Sequence, residues 1–238
     1  HNQSRRQRQM CIRDSSGSVQ AYVAEGDVLQ WYDIPFAKPP VGDLRWRAPE
    51  PLDAKSQLIS RRAEPAICPQ LAGSVSGVEG DAAIGAEDCL YLDVTAPASG
   101  TEPLPVMVWI HGGGNTTGHK NTYDFSRFVA QQKVIVVTIN YRLGPLGWFA
   151  HPTLGNGPGT IANFGTLDIV AALGWVKRNI GAFGGDANNV TIFGESAGGH
   201  NVFTLLASPL SEGLFHKAIS QSGYVRSLSP RPVSYTHL

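Results

Sequence analysis

The stretch Val190-Thr-Ile-Phe-Gly-Glu-Ser-Ala-Gly-Gly199 joins a short apolar run to a serine flanked by glycines. The β-branched run Val190–Phe193 predicts a buried strand, and the apolar residues after the motif predict a helix over 198–206. Ser196 then lies on the sharp turn between them, where the glycines two residues to either side avoid the crowding that a Cβ would cause. We interpret this arrangement as a nucleophile elbow, with the serine at the positive end of a helix.

Unbroken apolar runs elsewhere in the chain are typical of strands that are covered on both faces, as in a parallel sheet. Val106–Ile110 and Val134–Ile139 are two such runs, and helical spacing occurs between and after them. The predicted strands are 90–94, 106–110, 134–139, 190–193 and 217–222, and the predicted helices are 126–132, 163–179 and 198–206. This alternation of strands and helices predicts a doubly wound α/β sheet.

The N-terminal part of the chain is expected to flank that sheet. Alternating residues over 17–23 and 28–34 predict an antiparallel hairpin. The proline-dense segment Pro35–Pro51 is expected to lie as an extended strap without helix. We expect Arg45 of this strap to form a structural ion pair with Glu87.

The charge balance excludes several classes of partner. The 238 residues contain 19 Lys and Arg against 19 Asp and Glu, so nothing favours binding to nucleic acid or to an anionic membrane surface. No apolar run is long enough to span a bilayer. We therefore expect a small neutral substrate and water as partners, with no nucleic acid and no membrane segment.

Both ends of the chain lack the periodicity of the interior. Residues 1–15 and 232–238 resemble translated adapter sequence, and we expect them to be non-native. The domain is then expected to comprise residues 16–229.

Two of the three cysteines, Cys68 and Cys89, bracket a loop rich in Gly, Ser and Ala. A disulfide between them would stabilise the fold by roughly 3 kcal/mol through loop closure. Two reduced, buried cysteines agree equally well with the spacing. An oxidising compartment, periplasmic or extracellular, follows only if the disulfide forms.

The segment His111-Gly-Gly-Gly114 follows a predicted strand and is the second feature that bears on chemistry. Glycines there allow backbone N–H groups to turn toward a reacting atom, so Gly113 and Gly114 are candidate oxyanion donors, with Ala197 as a third. A phosphate-binding loop is disfavoured because no Lys-Ser/Thr follows, and the spacing of a dinucleotide-binding loop is absent. We expect no cofactor and no metal.

Six motifs, taken together and in this order, resemble the type-B carboxylesterases, the cholinesterase-like branch of the α/β-hydrolase fold. The resemblance covers essentially residues 17–229. The motifs are Pro39-Pro-Val-Gly-Asp-Leu-Arg45, Glu87-Asp-Cys-Leu-Tyr-Leu-Asp-Val94, His111-Gly-Gly-Gly114, Asn140-Tyr-Arg142, Ala182-Phe-Gly-Gly-Asp186 and Gly194-Glu-Ser-Ala-Gly198.

This resemblance implies an α/β-hydrolase fold and a carboxylic-ester hydrolase that works through an acyl-enzyme at Ser196. It implies that Gly113, Gly114 and Ala197 form a three-donor oxyanion hole.

The resemblance also implies that Cys68 and Cys89 form a disulfide that closes an Ω-loop. In the family the triad acid and histidine lie beyond the equivalent of residue 238. We therefore expect neither in this chain, a sheet truncated before its last strands, and no activity from the chain alone.

One departure from the cholinesterases concerns substrate choice. Cholinesterases carry a tryptophan in this loop that binds quaternary ammonium, whereas 70–88 contains no aromatic residue. We therefore do not expect choline esters to be substrates.

Residues near the nucleophile are assigned supporting roles. His200 lies about one helical turn after Ser196, but a base also needs an orienting carboxylate, so we expect it to be structural. Glu195 is expected to be a buried carboxylate that fixes the elbow, His111 to belong to the oxyanion turn, and Ser222 to border the site of the missing acid. Structural or solvated roles are expected for the remaining candidates: His119, His151 and His216, with Asp168 in a helix and Asp186 in a turn.

The alternative to an enzyme is a non-catalytic adhesion or binding member of the same fold family. Such relatives typically lose the nucleophile, and Ser196 with its complete glycine frame argues against this reading. A carboxylate and a histidine in the expected order downstream would discriminate between the two.

Overall fold

The computed structural model describes residues 11–13, 17–24, 26–52, 58–59, 64–74, 76–100, 103–151 and 162–225. The strands in these ranges are β1 Cys11–Arg13, β2 Ser18–Ala24, β3 Val28–Pro35, β4 Leu58–Ile59, β5 Gln70–Gly73, β6 Val78–Ile84, β7 Tyr91–Pro97, β8 Leu104–Ile110, β9 Ile135–Ile139, β10 Gly185–Glu195 and β11 Lys217–Gln221. The α-helices are α1 Ser126–Gln132, α2 Gly144–Gly147, α3 Phe164–Asn179 and α4 Ala197–Ala207, and short 3-10 turns cover Gly42–Leu44, Ile180–Phe183 and Pro209–Ser211.

One mixed sheet carries most of the strands, in the order β1-β2-β3-β7-β9-β8-β10-β11, with β4 beside β2. The strands β9, β8, β10 and β11 run parallel. Neighbouring strands along β1-β2-β3-β7 pair antiparallel, β7 joins β9 antiparallel, and β4 pairs parallel with β2. The predicted α/β sheet with its N-terminal antiparallel hairpin is confirmed, and the hairpin continues the main sheet through β7.

Alternate residues of the central strands enter two separate cores. Val108 and Ile192 face the larger core, which includes α3 and α4, whereas Trp109 and Phe193 face a smaller core with α1. Both faces of these strands are therefore covered, which explains their unbroken apolar sequences.

Two expectations about local structure need correction. The segment closed by the two cysteines contains the antiparallel pair β5–β6, so it is a hairpin rather than an Ω-loop without regular structure. The proline-dense strap contains a 3-10 turn at Gly42–Leu44. Residues Cys11–Arg13 pair antiparallel with β2. Residues 232–238 lie outside the described residues, and the expected non-native ends remain a prediction.

The disulfide between Cys68 and Cys89 is present, with the two Cα atoms 5.0 Å apart and both residues buried. The expected Arg45–Glu87 pair is also confirmed: Arg45 Nε donates to Glu87 Oε2 at 2.7 Å and Arg45 Nη2 donates to Oε1 at 2.6 Å. The paired side chains tie the strap to the segment that ends at Cys89.

A buried ion pair lies under the parallel strands, where the sequence predicted only a helix residue. Asp168 of α3 is fully buried, and its carboxylate accepts hydrogen bonds from Arg142 Nε at 2.8 Å, Arg142 Nη2 at 2.6 Å and the Arg142 backbone N–H at 3.0 Å. A buried charge needs such partners, since desolvation would otherwise disfavour its ionised form.

A second buried charge cluster, which the sequence did not predict, joins the antiparallel strands to the loop after β8. Lys120 is 1% exposed, and its Nζ lies 2.7 Å from Asp93 Oδ1 and 3.0 Å from Asp33 Oδ1. Asp33 has a left-handed backbone, with φ of 55°, at an irregularity in the pairing of β3 with β7, and its N–H donates to Asp93 Oδ1 at 2.8 Å.

Asp186 lies in β10 rather than in a turn, close to the irregular pairing between Gly185 and Val190. Its Oδ1 accepts the backbone N–H of Asn188 at 2.8 Å, and the residue is half-buried. The side chain therefore supports a local bend.

None of the helices in the described part of the chain is long and apolar enough to cross a membrane.

Replacing both disulfide cysteines by serine is expected to lower the free energy of unfolding by about 3 kcal/mol, because the unfolded chain regains the entropy of the open loop. Urea denaturation measures the loss, and Cys11→Ser is the control that should leave the midpoint unchanged. More than one titratable thiol in the denatured, unreduced protein would contradict the disulfide.

Asp168→Asn is expected to lower the free energy of unfolding by roughly 3–5 kcal/mol, since the Arg142 guanidinium would remain buried without its counter-charge. Asp186→Asn is the matched control and should cost less than about 1 kcal/mol. Equal losses in the free energy of unfolding for the two substitutions, measured by urea denaturation, would contradict a larger contribution of the buried Arg142–Asp168 pair.

Candidate active site

Ser196 occupies a strained position between β10 and α4. Its backbone has φ of 55° and ψ of −119°, which is unusual for a residue with a side chain. The Ser196 N–H donates to the carbonyl oxygen of Gln221 in β11 at 2.9 Å, and the side chain is exposed. The strand-turn-helix context of a nucleophile elbow is therefore present, with the serine held at the corner.

The two glycines that frame the serine lie where no side chain fits. A Cβ on Gly198 would overlap the carbonyl oxygen of Ile110, at the end of β8. A Cβ on Gly194 would lie 2.6 Å from the Gly198 carbonyl carbon and 2.7 Å from the Ile110 oxygen. The glycine frame thus lets α4 pack directly against β8.

The glycine turn after β8 lies beside the serine. A Cβ on Gly112 would be 3.3 Å from Ser196 Cβ and 2.8 Å from the Glu195 carbonyl oxygen. Gly113 and Gly114 have φ of 97° and 63°, a conformation that glycine adopts without strain. The turn therefore lies next to the serine, although the two are more than eighty residues apart in the sequence.

His111 fixes the orientation of this turn. Its Nδ1 donates to the Gly112 carbonyl oxygen at 2.8 Å. Because the carbonyl and N–H of one trans peptide point in opposite directions, this bond directs the Gly113 N–H away from His111. The ring of His111 stacks on Tyr141 with centroids 4.3 Å apart, and the Tyr141 hydroxyl donates to the His111 carbonyl oxygen at 2.6 Å.

Burial controls the ionisation of His111 and Tyr141. Desolvation lowers the pKa of His111 to about 4, so its imidazole is neutral at physiological pH and carries its proton on Nδ1. Burial likewise raises the pKa of the Tyr141 phenol, which keeps it a donor. The turn is therefore supported by neutral hydrogen-bonding groups.

The sequence profile described as the carboxylesterase family matches residues 15–231. The chain belongs to this family. It is 47% identical over 214 residues to para-nitrobenzyl esterase of Bacillus subtilis (strain 168), covering 89% of this chain and 43% of that protein. It is 48% identical over 221 residues to fumonisin B1 esterase of Sphingopyxis macrogoltabida, covering 90% of this chain and 40% of that protein.

A solved structure titled thermophylic PNB esterase superposes with a TM-score of 0.84 at 44% identity, covering 92% of this chain and 45% of that one. The α/β-hydrolase fold implied by the sequence motifs is thereby confirmed. The chain spans less than half the length of these carboxylesterase relatives.

Glu195 and Ser222 were assigned supporting roles at the elbow. Glu195 is half-buried rather than buried, because its place at the end of β10 leaves the side chain partly open, and its Oε2 lies 3.3 Å from the position of a Cβ on Gly112. Ser222 follows β11 with φ of 54° and is exposed. Their proposed roles remain predictions.

His200 is engaged away from the serine. Its Nδ1 donates to the Tyr224 carbonyl oxygen at 2.6 Å, and its ring lies beside the Tyr224 ring. Across the described ranges, no histidine side chain is hydrogen-bonded to the Ser196 side chain. His119 and His216 make hydrogen bonds to the backbones of Ser76 and Val190, and His151 stacks on Phe149.

Asn115 and Asn201 were missed by the sequence reasoning, and they link the two halves of the site. Asn201 Nδ2, on α4, donates to Asn115 Oδ1 at 2.9 Å, and Asn115 has φ of 58° directly after the glycine turn. Asparagine tolerates this left-handed conformation better than most residues. An asparagine directly after the three glycines could therefore have indicated that the turn extends to Asn115. In the part of the chain that the structure describes, His, Cys, Asp and Glu side chains form no group of three or more that could hold a metal ion.

The lowered pKa of His111 predicts a pH dependence of stability. Between about pH 4 and its ordinary pKa of 6.5 the unfolded chain binds a proton at His111 that the folded protein does not. The free energy of unfolding should therefore fall as the pH drops through this window, by on the order of 3 kcal/mol from this residue.

His111→Gln is the control, because its stability should lack this component of the pH dependence. NMR of the imidazole gives a direct measurement in the folded protein. A His111 ring that titrates near pH 6.5 would contradict the prediction.

Proposed function

We propose that the protein is a serine carboxylesterase that hydrolyses carboxylic esters through an acyl-enzyme at Ser196. The observation that carries the proposal is the close approach of the glycine turn to the serine, with the Gly112 Cβ position 3.3 Å from Ser196 Cβ. A nucleophile and a set of backbone donors thus converge from distant parts of the chain, as acyl transfer requires.

In the first step the Ser196 Oγ attacks the ester carbonyl carbon, and its proton passes to a general base. The carbonyl oxygen becomes an oxyanion, which the N–H groups of Gly113, Gly114 and Ala197 stabilise by hydrogen bonds. The intermediate collapses as the carbon–oxygen bond to the alcohol breaks, and the alcohol leaves with the proton. Water then attacks the acyl-serine and releases the carboxylic acid.

Two features of the elbow support this role for Ser196. The serine lies at the N-terminus of α4, where the first backbone N–H groups and the helix dipole favour developing negative charge. We propose that Glu195 holds the elbow against the glycine turn and that Ser222 borders the position of the triad acid. The general base and its acid are proposed to come from outside the described residues, since His200 donates instead to Tyr224.

Neutral esters are the proposed substrate class. Two similar proteins are named for different esters, para-nitrobenzyl and fumonisin B1, so the comparison supports an ester but no particular alcohol. The segment 70–88 offers no aromatic face for a quaternary ammonium group.

Ser196→Ala in the complete protein is expected to lower kcat for p-nitrophenyl butyrate by at least about 1,000-fold, because no acyl-enzyme can form. Release of p-nitrophenol measures the rate. Ser99→Ala, at an exposed serine outside the site, is the control and should retain full activity.

His200→Gln in the complete protein should remain within about threefold of the unsubstituted rate. Hydrolysis by the 238-residue chain alone that disappears in both Ser196→Ala and His200→Gln would contradict the proposed source of the base. A complete protein that contains a downstream acid and histidine yet hydrolyses no ester would favour a binding function instead.

A further inference from the structure

The loop after the glycine turn is held by one side chain from the disulfide-closed hairpin. Gln70, the first residue of β5, is 8% exposed. Its Oε1 accepts the Gly118 N–H at 2.8 Å and the Thr117 hydroxyl at 2.7 Å. Its Nε2 donates to the carbonyl oxygens of Gly118 at 2.9 Å and Cys68 at 3.0 Å. The amide thus has four partners, which fixes both its position and its orientation.

The residues that Gln70 holds bear directly on the glycine turn. The Gly113 carbonyl oxygen accepts the N–H groups of Thr116 and Thr117, each at 3.0 Å, and a Cβ on Gly113 would overlap the Thr117 carbonyl oxygen. A Cβ on Gly118 would lie 2.5 Å from His111 Nδ1 and 2.8 Å from the Gly112 carbonyl oxygen. A shift of the Thr117–Gly118 segment would therefore displace the turn itself.

The hairpin that presents Gln70 is itself anchored. Cys68 is joined to Cys89, and the Cys89 carbonyl oxygen accepts from Asn140 Nδ2 at 3.0 Å. Asn140 directly follows β9 of the parallel sheet, and its Oδ1 accepts the Lys120 N–H at 2.8 Å. The support for the loop thus runs from the sheet through buried hydrogen bonds rather than through the exposed surface.

We propose that Gln70 is a positioning residue for the oxyanion hole: it fixes the Thr117–Gly118 segment so that the N–H groups of Gly113 and Gly114 remain aimed at the oxyanion. The inference rests on the proposed esterase function. Gln70 acts through the backbone and is not proposed to touch the substrate. Its loss should therefore weaken stabilisation of the transition state more than binding of the ester.

The size of the effect follows from what is lost. Removal of one oxyanion donor costs about 100- to 1,000-fold in kcat in a serine hydrolase. Loosening the segment behind two donors leaves them present but less well aimed, so we expect a fall in kcat of about 10- to 100-fold with KM changed by less than about threefold. Affinity for a trifluoromethyl ketone, whose adduct places an oxyanion in the hole, should fall by a similar factor.

The experiment compares variants of the complete protein. Gln70→Ala removes all four hydrogen bonds, and Thr117→Val removes one of them at nearly constant shape. Gln70→Glu keeps both acceptor contacts but sets a carboxylate oxygen against the carbonyls of Cys68 and Gly118, so it should not rescue the rate.

Gln30→Ala is the matched control for a general loss of stability. Gln30 is a half-buried glutamine whose Nε2 donates to Ser126 Oγ at 3.0 Å and whose Oε1 accepts from Tyr32. The kcat of the Gln30→Ala protein should remain within about twofold of that of the unsubstituted protein. A fall in kcat as large as that of Gln70→Ala would overturn a specific role for Gln70.

Hydrogen exchange supplies a measurement that needs no activity. In Gln70→Ala the Gly118 amide should exchange at least about tenfold faster, and in Gln30→Ala it should be unchanged. If the complete protein hydrolyses no ester, the proposed function fails, and exchange alone decides whether Gln70 holds the loop. Unchanged exchange in Gln70→Ala, or unchanged kcat and ketone affinity in an active protein, would overturn the inference. Should Gln70→Ala fail to fold, Thr117→Val gives the same comparison with a smaller expected change of about three- to tenfold.

Discussion

Helix α4 packs against the end of strand β8 so closely that a single Cβ would not fit between them. The contact is between Gly198 and the Ile110 carbonyl oxygen, and the candidate site depends on it. Strand β8 continues into the glycine turn, and α4 begins directly after Ser196. The contact between β8 and α4 therefore brings the glycine turn next to the serine. A larger residue at Gly198 would push the helix outward and separate the serine from the turn. The strained backbone of Ser196 is tolerated because packing on both sides holds it.

Much of this arrangement could be predicted because it follows from local sterics and from hydrophobic pattern. The apolar runs at Val106–Ile110 and Val134–Ile139 became neighbouring parallel strands, since only a strand covered on both faces needs such a sequence. The glycines around Ser196 were recognised because a sharp strand-to-helix turn excludes side chains at those places. The resemblance to the carboxylesterases added the disulfide, for which the spacing of Cys68 and Cys89 alone left two alternatives.

What could not be predicted depends on partners far apart in the chain. Asp168 has an ordinary place in a helical pattern, and only the fold brings it to Arg142, 26 residues away, so that its charge can be buried. Gln70 lies 48 residues from Gly118. Its four hydrogen bonds form only in the folded chain, so no local sequence pattern predicts them. The β5–β6 hairpin was missed for a different reason, because Gly, Ala and acidic residues have weak strand propensity and the cross-strand pairing overrides it.

The buried Lys120 has a consequence for the order in which the molecule is assembled. Its ammonium group can leave water only when both Asp33 and Asp93 are in place to receive it, and these residues lie on the paired strands β3 and β7. Lys120 also lies in the loop that joins the glycine turn to α1. The loop behind the candidate site should therefore reach its final conformation only after the N-terminal strands have joined the sheet. We therefore expect the glycine turn to become ordered late in folding, although its glycines lie next to each other in sequence.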